Sequence, residues 1–261
     1  MKHVIAVALI LAMLCLWAGT SAVQSQQAST AKSDLVEPES MQVLNQMGAY
    51  LRSLKAFQVL AEVTSEDVLD DGEKVQYAHT TNILARMPDR LLAETDGDRQ
   101  KRLYLYNGKS FTLFAQRAGF YATVAAPATL VQLSDVLSEK YDIDIPLVDL
   151  FLWGGPRSTS AAITSATHID PSQIGGVSCD HYAFRQPGLD WQVWIQKGDY
   201  PLPRKLVLTT TTDEARPQHT SVLIWNLAPS FNDAAFTFDP PPGANKIVFA
   251  EDLAASAAGK N

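Results

Sequence analysis

Cysteine is scarce in this 261-residue sequence: there are two, and Cys15 lies inside an N-terminal apolar run. Removal of that run leaves Cys179 alone, so no internal disulfide can form and the core has to hold the fold. Clusters of Lys and Arg are also missing. The chain has 21 basic and 28 acidic residues, a formal net charge of −7 that becomes −8 without Lys2. Nucleic acid and anionic membrane surfaces both reward basic patches, so both are poor partners. There is no G-x-S-x-G, no H-E-x-x-H and no phosphate-binding glycine loop, which removes the common hydrolase, zinc-protease and nucleotide signatures. No apolar run reaches the ~20 residues of a comfortable membrane span.

What is present begins with Lys2, an apolar run from Val4 to Trp17 and the small-residue stretch AGTSA ending at Ala22. This layout predicts a cleavable secretory signal over residues 1–22, with a retained anchor as the alternative. Lipidation at Cys15 is disfavoured, because Leu14 precedes it where a small residue is needed. Residues 23–37 are rich in Gln, Ser, Ala and Thr and read as a flexible leader. Residues 38–250 are expected to form one domain, with 251–261 as a disordered Ala-rich tail.

Pro38 is expected to open a helix, because Val43, Leu44, Met47, Tyr50, Leu51 and Leu54 fall on one helical stripe. A ladder of alternating strands follows, punctuated by turns at Asp70–Gly72, Asp96–Asp98, Asn107–Gly108 and Gly119. Asn-Gly between alternating runs is a strong hairpin signal, since both residues tolerate positive φ. The period then changes: Leu130, Leu133 and Leu137 suit a second helix, and Pro146 to Gly154 a short third one. Strands resume at about Ala162–Ile169, Val177–Gln186, Trp191–Gln196, Lys205–Thr212 and Thr220–Leu227. The expected fold is mainly β with helices (α+β): a large curved antiparallel sheet of about eleven strands, an incomplete barrel around a few helices.

One-sided alternations on successive strands predict the inner face. They comprise Phe57 and Val59, then Ile83, Met87 and Leu91, then Leu103, Phe111 and Leu113, and finally Trp191 and Val193. Such a face must be buried against another layer. Three short helices are few for so wide a sheet, so an apolar cavity is expected; the alternative is that helix side chains, including Phe151 and Trp153, plug it.

Cys179 and His181 share one face of a strand. Zinc typically needs four ligands, and His79, His168 and His219 show no paired ligand spacing. A nucleophilic Cys needs an oriented base and a lowered thiol pKa, and C-x-H supplies neither. The two are therefore read as wall residues, Cys179 as a small buried hydrophobe. Val177, Cys179, His181 and Ala183 compete with Tyr182 and Phe184 for the inner side, with a slight preference for the cysteine face. Asp142, Asp144 and Asp149 read as helix flanks, because acid–base work needs two carboxylates converging on one cleft.

The order helix, meander, ILARMPDRLLAE (Ile83–Glu94), YNGKSFTLFAQRAGFYATV (Tyr106–Val124), inserted helices, returning strands and FTFDPPPGA (Phe236–Ala244) resembles the LolA/LolB-like fold of periplasmic lipoprotein carriers. The stretch CDHYAFRQPGLDWQVWIQKGDYPLPRKLVL, Cys179 to Leu208, is similar to the DUF2092 family of predicted periplasmic proteins, thought to share that fold. The resemblance covers roughly Pro38 to Phe249 and implies a half-barrel whose apolar face, lidded by helices, accommodates acyl chains. One departure stands out. Where the carriers tend to have an inward Arg directly before Pro, this chain has Met87, and Arg86 should face the other way.

The expected function is a periplasmic, non-enzymatic protein that binds a lipid or other apolar molecule and needs no cofactor. The second reading is an envelope sensor of the same fold with a protein partner, and the third a Cys-dependent enzyme.

Overall fold

A computed structural model describes residues 35–147, 153–155 and 159–252. Their core is one continuous twelve-stranded sheet. The first six strands are β1 (Ala56–Val68), β2 (Lys74–Arg86), β3 (Arg90–Gly97), β4 (Lys101–Tyr106), β5 (Ser110–Ala115) and β6 (Phe120–Ala125). They are followed by β7 (Ser165–Ile174), β8 (Val177–Gln186), β9 (Leu189–Gln196), β10 (Pro203–Thr210), β11 (Gln218–Asn226) and β12 (Asn245–Lys246).

Two antiparallel meanders, β1 to β6 and β7 to β11, join through the antiparallel pair β1–β11, giving the order β12-β6-β5-β4-β3-β2-β1-β11-β10-β9-β8-β7. The edges β7 and β12 do not pair, so the sheet is curved but open. The expected mainly β, incomplete-barrel class is the one found. Its twelfth strand, two residues pairing parallel with β6, is too short to leave a period in the sequence.

Helix α1 (Pro38–Ser53) begins where Pro38 fixes φ at a position whose N–H has no helical partner anyway. It buries Leu44, Met47 and Leu51, as its stripe predicts, together with Ser40 and Gly48, and Val43, Tyr50 and Leu54 pack half-buried beside them. Before it, Val36 bridges to Ala166 of β7. Glu37 Oε2 accepts from the Ser40 hydroxyl at 2.9 Å and the His168 N–H at 2.7 Å, tying the helix start to that edge. Helix α2 (Leu130–Tyr141) is capped by Thr129, whose hydroxyl accepts from Gln132 N–H, and stops at Asp142 in the left-handed region. The short helix expected over Pro146–Gly154 lies largely outside the described residues, as do the signal segment, nearly all of the leader, and the tail from residue 253.

Register settles which side chains lie under the helices. Val59 pairs with Ile83, Ile83 with Ala93, Ala93 with Tyr104 and Tyr104 with Leu113, so these share the inner face. Leu103 pairs with Glu94 and Phe114 and faces outward, against the sequence expectation. Outside, a C-terminal segment covers this region: Phe238 lies 5.6 Å from Phe114 and 5.0 Å from Tyr121, ring centre to ring centre. Leu103 and Leu105 thus lie on the outer side of β4, the side on which Phe114 stands in β5. Arg86 does face outward, as expected, and pairs with Asp233 at 2.6 Å beside the ring of Phe236.

The two faces should respond differently to truncation. Leu91→Ala, at a position 1 % exposed, should cost about 2–5 kcal/mol in urea unfolding, whereas half-buried Leu103→Ala should cost clearly less. Equal losses would show that Leu103 belongs to the main core.

Candidate functional site

The inner face collects Phe57, Val59, Ile83, Leu91, Phe111, Trp191 and Val193, all 5 % exposed or less, in one core with α1 and α2. Met87 and Leu113 pack against it half-buried. Cys179 and His181 do not join them. Phe184 pairs with Trp191 and Tyr182 with Val193, so Tyr182 and Phe184 point inward and Cys179 and His181 outward. The larger aromatic rings win the core, and the cysteine face builds a small outer cluster of Cys179, Trp194 and Val207. His181 stacks on Trp194 with ring centres 3.9 Å apart and planes 8° apart, and its Nε2 meets Gln192 Oε1 at 2.9 Å. Burial pushes the Cys179 thiol pKa up, the reverse of what a nucleophile requires. Among the described residues no group of three or more His, Cys, Asp or Glu could hold a metal ion.

On the inner side, Phe184 stacks on Trp191 at 4.2 Å, and Trp153 meets Trp191 edge-on at 5.2 Å. Trp153 lies close over Gly48 of α1; a Cβ there would come 2.6 Å from its Cδ1. Arg52 Nη1 donates to the Trp153 carbonyl. The indole N–H groups of both Trp153 and Trp191 are buried and have no hydrogen-bond partner among the described residues. Each buried, unmade hydrogen bond costs about 1–3 kcal/mol, and buried indole donors usually find an acceptor. Two buried indole donors thus lie side by side on the inner face.

Beside this cluster the inner face turns polar. Trp191 pairs with Leu208, Leu208 with His219, His219 with Ser65 and Ser65 with Tyr77. His219 Nδ1 lies 2.8 Å from Ser65 Oγ and its Nε2 3.1 Å from Ser221 Oγ, so one imidazole bridges two hydroxyls. Burial lowers the pKa of His219, and neighbouring His79 lowers it further; burial also lowers that of His79. Both shifts favour the neutral imidazole. No signature motif marks them, but the alternation of His219 and Ser221 with Leu223 and Trp225 puts the histidine on the inner row, a signal available in the sequence.

Two clefts open at strand ends. One, of about 150 Å³, is lined by Ser65, Tyr77, His79 and Arg99 among others. The other, of about 520 Å³, lies against the β8–β9 turn and includes Arg185, Asp190 and Arg216. Neither is the apolar cavity expected between sheet and helices.

An open β half-barrel with helices packed on its inner face and aromatic rings beneath them defines the class of protein. The chain belongs to DUF2092, the family of predicted periplasmic proteins, whose family model matches residues 40–250. A periplasmic location follows, as the N-terminal reading expects. No curated protein matches the sequence.

Among solved structures, the chain is similar to an uncharacterized conserved protein from Thermus thermophilus, with 9% identity, 80% of this chain and 99% of that one covered, and a TM-score of 0.47. It is similar to the lipoprotein LppX of Mycobacterium tuberculosis, at 12% identity, 75% and 100% coverage and a TM-score of 0.47. For LprF of Mycobacterium bovis the values are 12%, 80%, 99% and 0.45. With TM-scores below 0.5, these likenesses carry no weight for function.

Two outcomes check the site geometry. Gly48→Ala should lower the melting temperature by several degrees despite the better helix propensity of Ala, because the methyl group meets Trp153; a higher melting temperature would mean that Trp153 does not sit over α1. For the histidines, a folded pKa below the unfolded ~6.5 leaves stability complete above that value. Stability then falls as pH drops through the window beneath it, where only the unfolded chain binds the proton. Urea titrations from pH 7.5 to 5.5 should show this decline, and combined His79→Asn and His219→Asn changes should reduce its slope, the residue coming from His181, whose pKa burial also lowers.

Proposed function

We propose that this periplasmic protein binds an amphipathic molecule, a lipid in chemical class, with its acceptor-bearing part at the Trp153–Trp191 pair and its apolar chain against the inner face of the sheet. The observation that carries this reading is the pair of buried indole donors without acceptors. A carbonyl, ester or phosphate oxygen seated there would recover the hydrogen-bond free energy that folding alone forgoes. Phe184 and Trp191 add flat apolar surface, and Phe57, Val59, Ile83, Met87, Leu91, Phe111, Leu113 and Val193 continue it across the sheet. Because this face is covered by α1, α2 and the half-buried Trp153 outside both helices, binding has to shift these side chains, with Trp153 the first in line. The role is binding or carrying, with no catalytic step.

Native mass spectrometry of protein purified gently from a periplasm, followed by organic extraction, tests it. Near-stoichiometric acyl lipid is expected on the wild type, and loss of it in Trp191→Phe, which removes the N–H yet keeps a ring and should cost only about 0.5–3 kcal/mol of stability. A lipid-free wild type, or equal retention in the folded variant, would sink the proposal. A lipid-free protein that co-purifies with an envelope protein would move the reading to a protein partner.

A further inference from the structure

The larger cleft has a charge pattern that lipid binding inside the sheet does not use. It lies at the end of the sheet where the β8–β9 turn, the start of β7 and the loop between β10 and β11 come together, and Thr164, Arg185, Gln186, Gly188, Asp190, Thr211 and Arg216 are among its lining residues. Arg185 and Asp190 pair across β8 and β9. They alternate with Phe184 and Trp191, so they face away from the aromatic site.

Among the described residues lining the cleft, Asp190 is the only acidic one. Its carboxylate accepts from Arg185 Nε at 2.8 Å and Nη2 at 3.3 Å, and from Arg216 Nη2 at 2.8 Å. Among the lining residues two guanidinium groups stand against one carboxylate, with Asp213 and Glu214 in the same loop as Arg216, in a chain whose net charge is −7. Each guanidinium offers five N–H donors in a planar fork, and Asp190 takes three of the ten.

The loop is built to bring the second arginine in. Asp213 turns its own carboxylate back on the backbone, accepting from Ala215 N–H at 2.8 Å, and its carbonyl accepts from Arg216 N–H at 3.0 Å. Arg216 sits at φ 50°, in the left-handed region that residues with a Cβ seldom occupy. Asp190 thus organises two forks side by side, and the donors it leaves over suit an oxyanion, which arginine binds through paired N–H···O contacts. A simple structural ion pair needs one arginine.

We propose that this cleft is an anion-binding site for a phosphate group, held by Arg185 and Arg216 with Asp190 as the positioning residue. At about 520 Å³ it has room for the phosphate and part of whatever bears it. The site goes beyond the lipid reading and stands without it, since the two lie on opposite faces of the sheet.

Isothermal titration calorimetry at low ionic strength in phosphate-free buffer tests the proposal with two probes, inorganic phosphate and a water-soluble dihexanoyl phosphatidic acid. The wild type should bind at least one of them. Arg216→Gln and Arg185→Gln, both at exposed side chains, should each weaken that binding at least tenfold while circular dichroism and the thermal melt stay those of a folded protein. Lys109→Gln, at an exposed turn elsewhere, should leave it unchanged. Binding of inorganic phosphate would assign the site to the free oxyanion, and binding of the lipid probe alone to a headgroup. Absence of binding by the wild type, unchanged affinity in both arginine variants, or equal weakening in Lys109→Gln would overturn the proposal. Trp191→Phe should keep this binding, so failure of the lipid reading and failure of the anion site register separately.

Discussion

The structure depends on one long-range pairing, that of β1 with β11. It brings together residues about 150 to 170 positions apart, as the contacts of Ser65 with His219 and Gln58 with Asn226 show. Without it there are two meanders, each with an apolar face and too little helix to cover it. With it there is a single inner face, and α1 can serve both halves: its start is tied to β7 through Glu37, while its buried stripe shares a core with residues of β1 and β2. The cross-strand row from Trp191 through Leu208, His219 and Ser65 to Tyr77 passes through the same junction. The polar end of the inner face is therefore a product of that pairing.

Much of the fold was legible because alternation and turn chemistry are local. The stripe of α1, the Asn107–Gly108 turn and strand β8 follow directly from neighbouring residues, and DUF2092 membership agrees with the motifs that resemble that family. What local pattern could not decide was the face of a strand that is apolar on both sides. Strand β4 offers Leu103 and Leu105 on one side and Tyr104 and Tyr106 on the other. Strand β8 offers Cys179 and Ala183 against Tyr182 and Phe184. In both, the aromatic side took the interior. The opposite side gained a cover of its own: the Phe238 segment over the β4–β6 region, and the cluster of Cys179 with Trp194 and Val207. The Phe238 cover comes from a distant part of the chain, which no window on β4 could reveal, whereas Trp194 lies on β9, the hairpin partner of β8.

The candidate site divides along the same line. Its apolar wall was readable except on β4 and β8, where Leu103, Cys179 and His181 face outward; Trp191 and Val193 lie on the inner face, where alternation put them. Its polar features were readable only in part, since alternation along β11 puts His219 and Ser221 on one row. The meeting of Trp153 with Trp191, the imidazole bridging Ser65 and Ser221, and the sharing of Asp190 by two arginines each join segments whose closeness is decided by topology. Only the Arg185–Asp190 half of the last was within reach of hairpin register.

The C-terminal segment has a consequence for how the protein is completed. Phe236, 1 % exposed, and Phe238 lie on the outer face, and β12 then borders β6. A chain that stopped before Ala235 could still form the other eleven strands, but it would leave Phe114 and Tyr121 bare beside an unprotected strand edge. Surfaces of that kind recruit other chains and attract proteases. The outer aromatic strap thus sets an order of closure: the inner face can be buried once β11 has been made, the outer one only after Phe238 and β12 have followed.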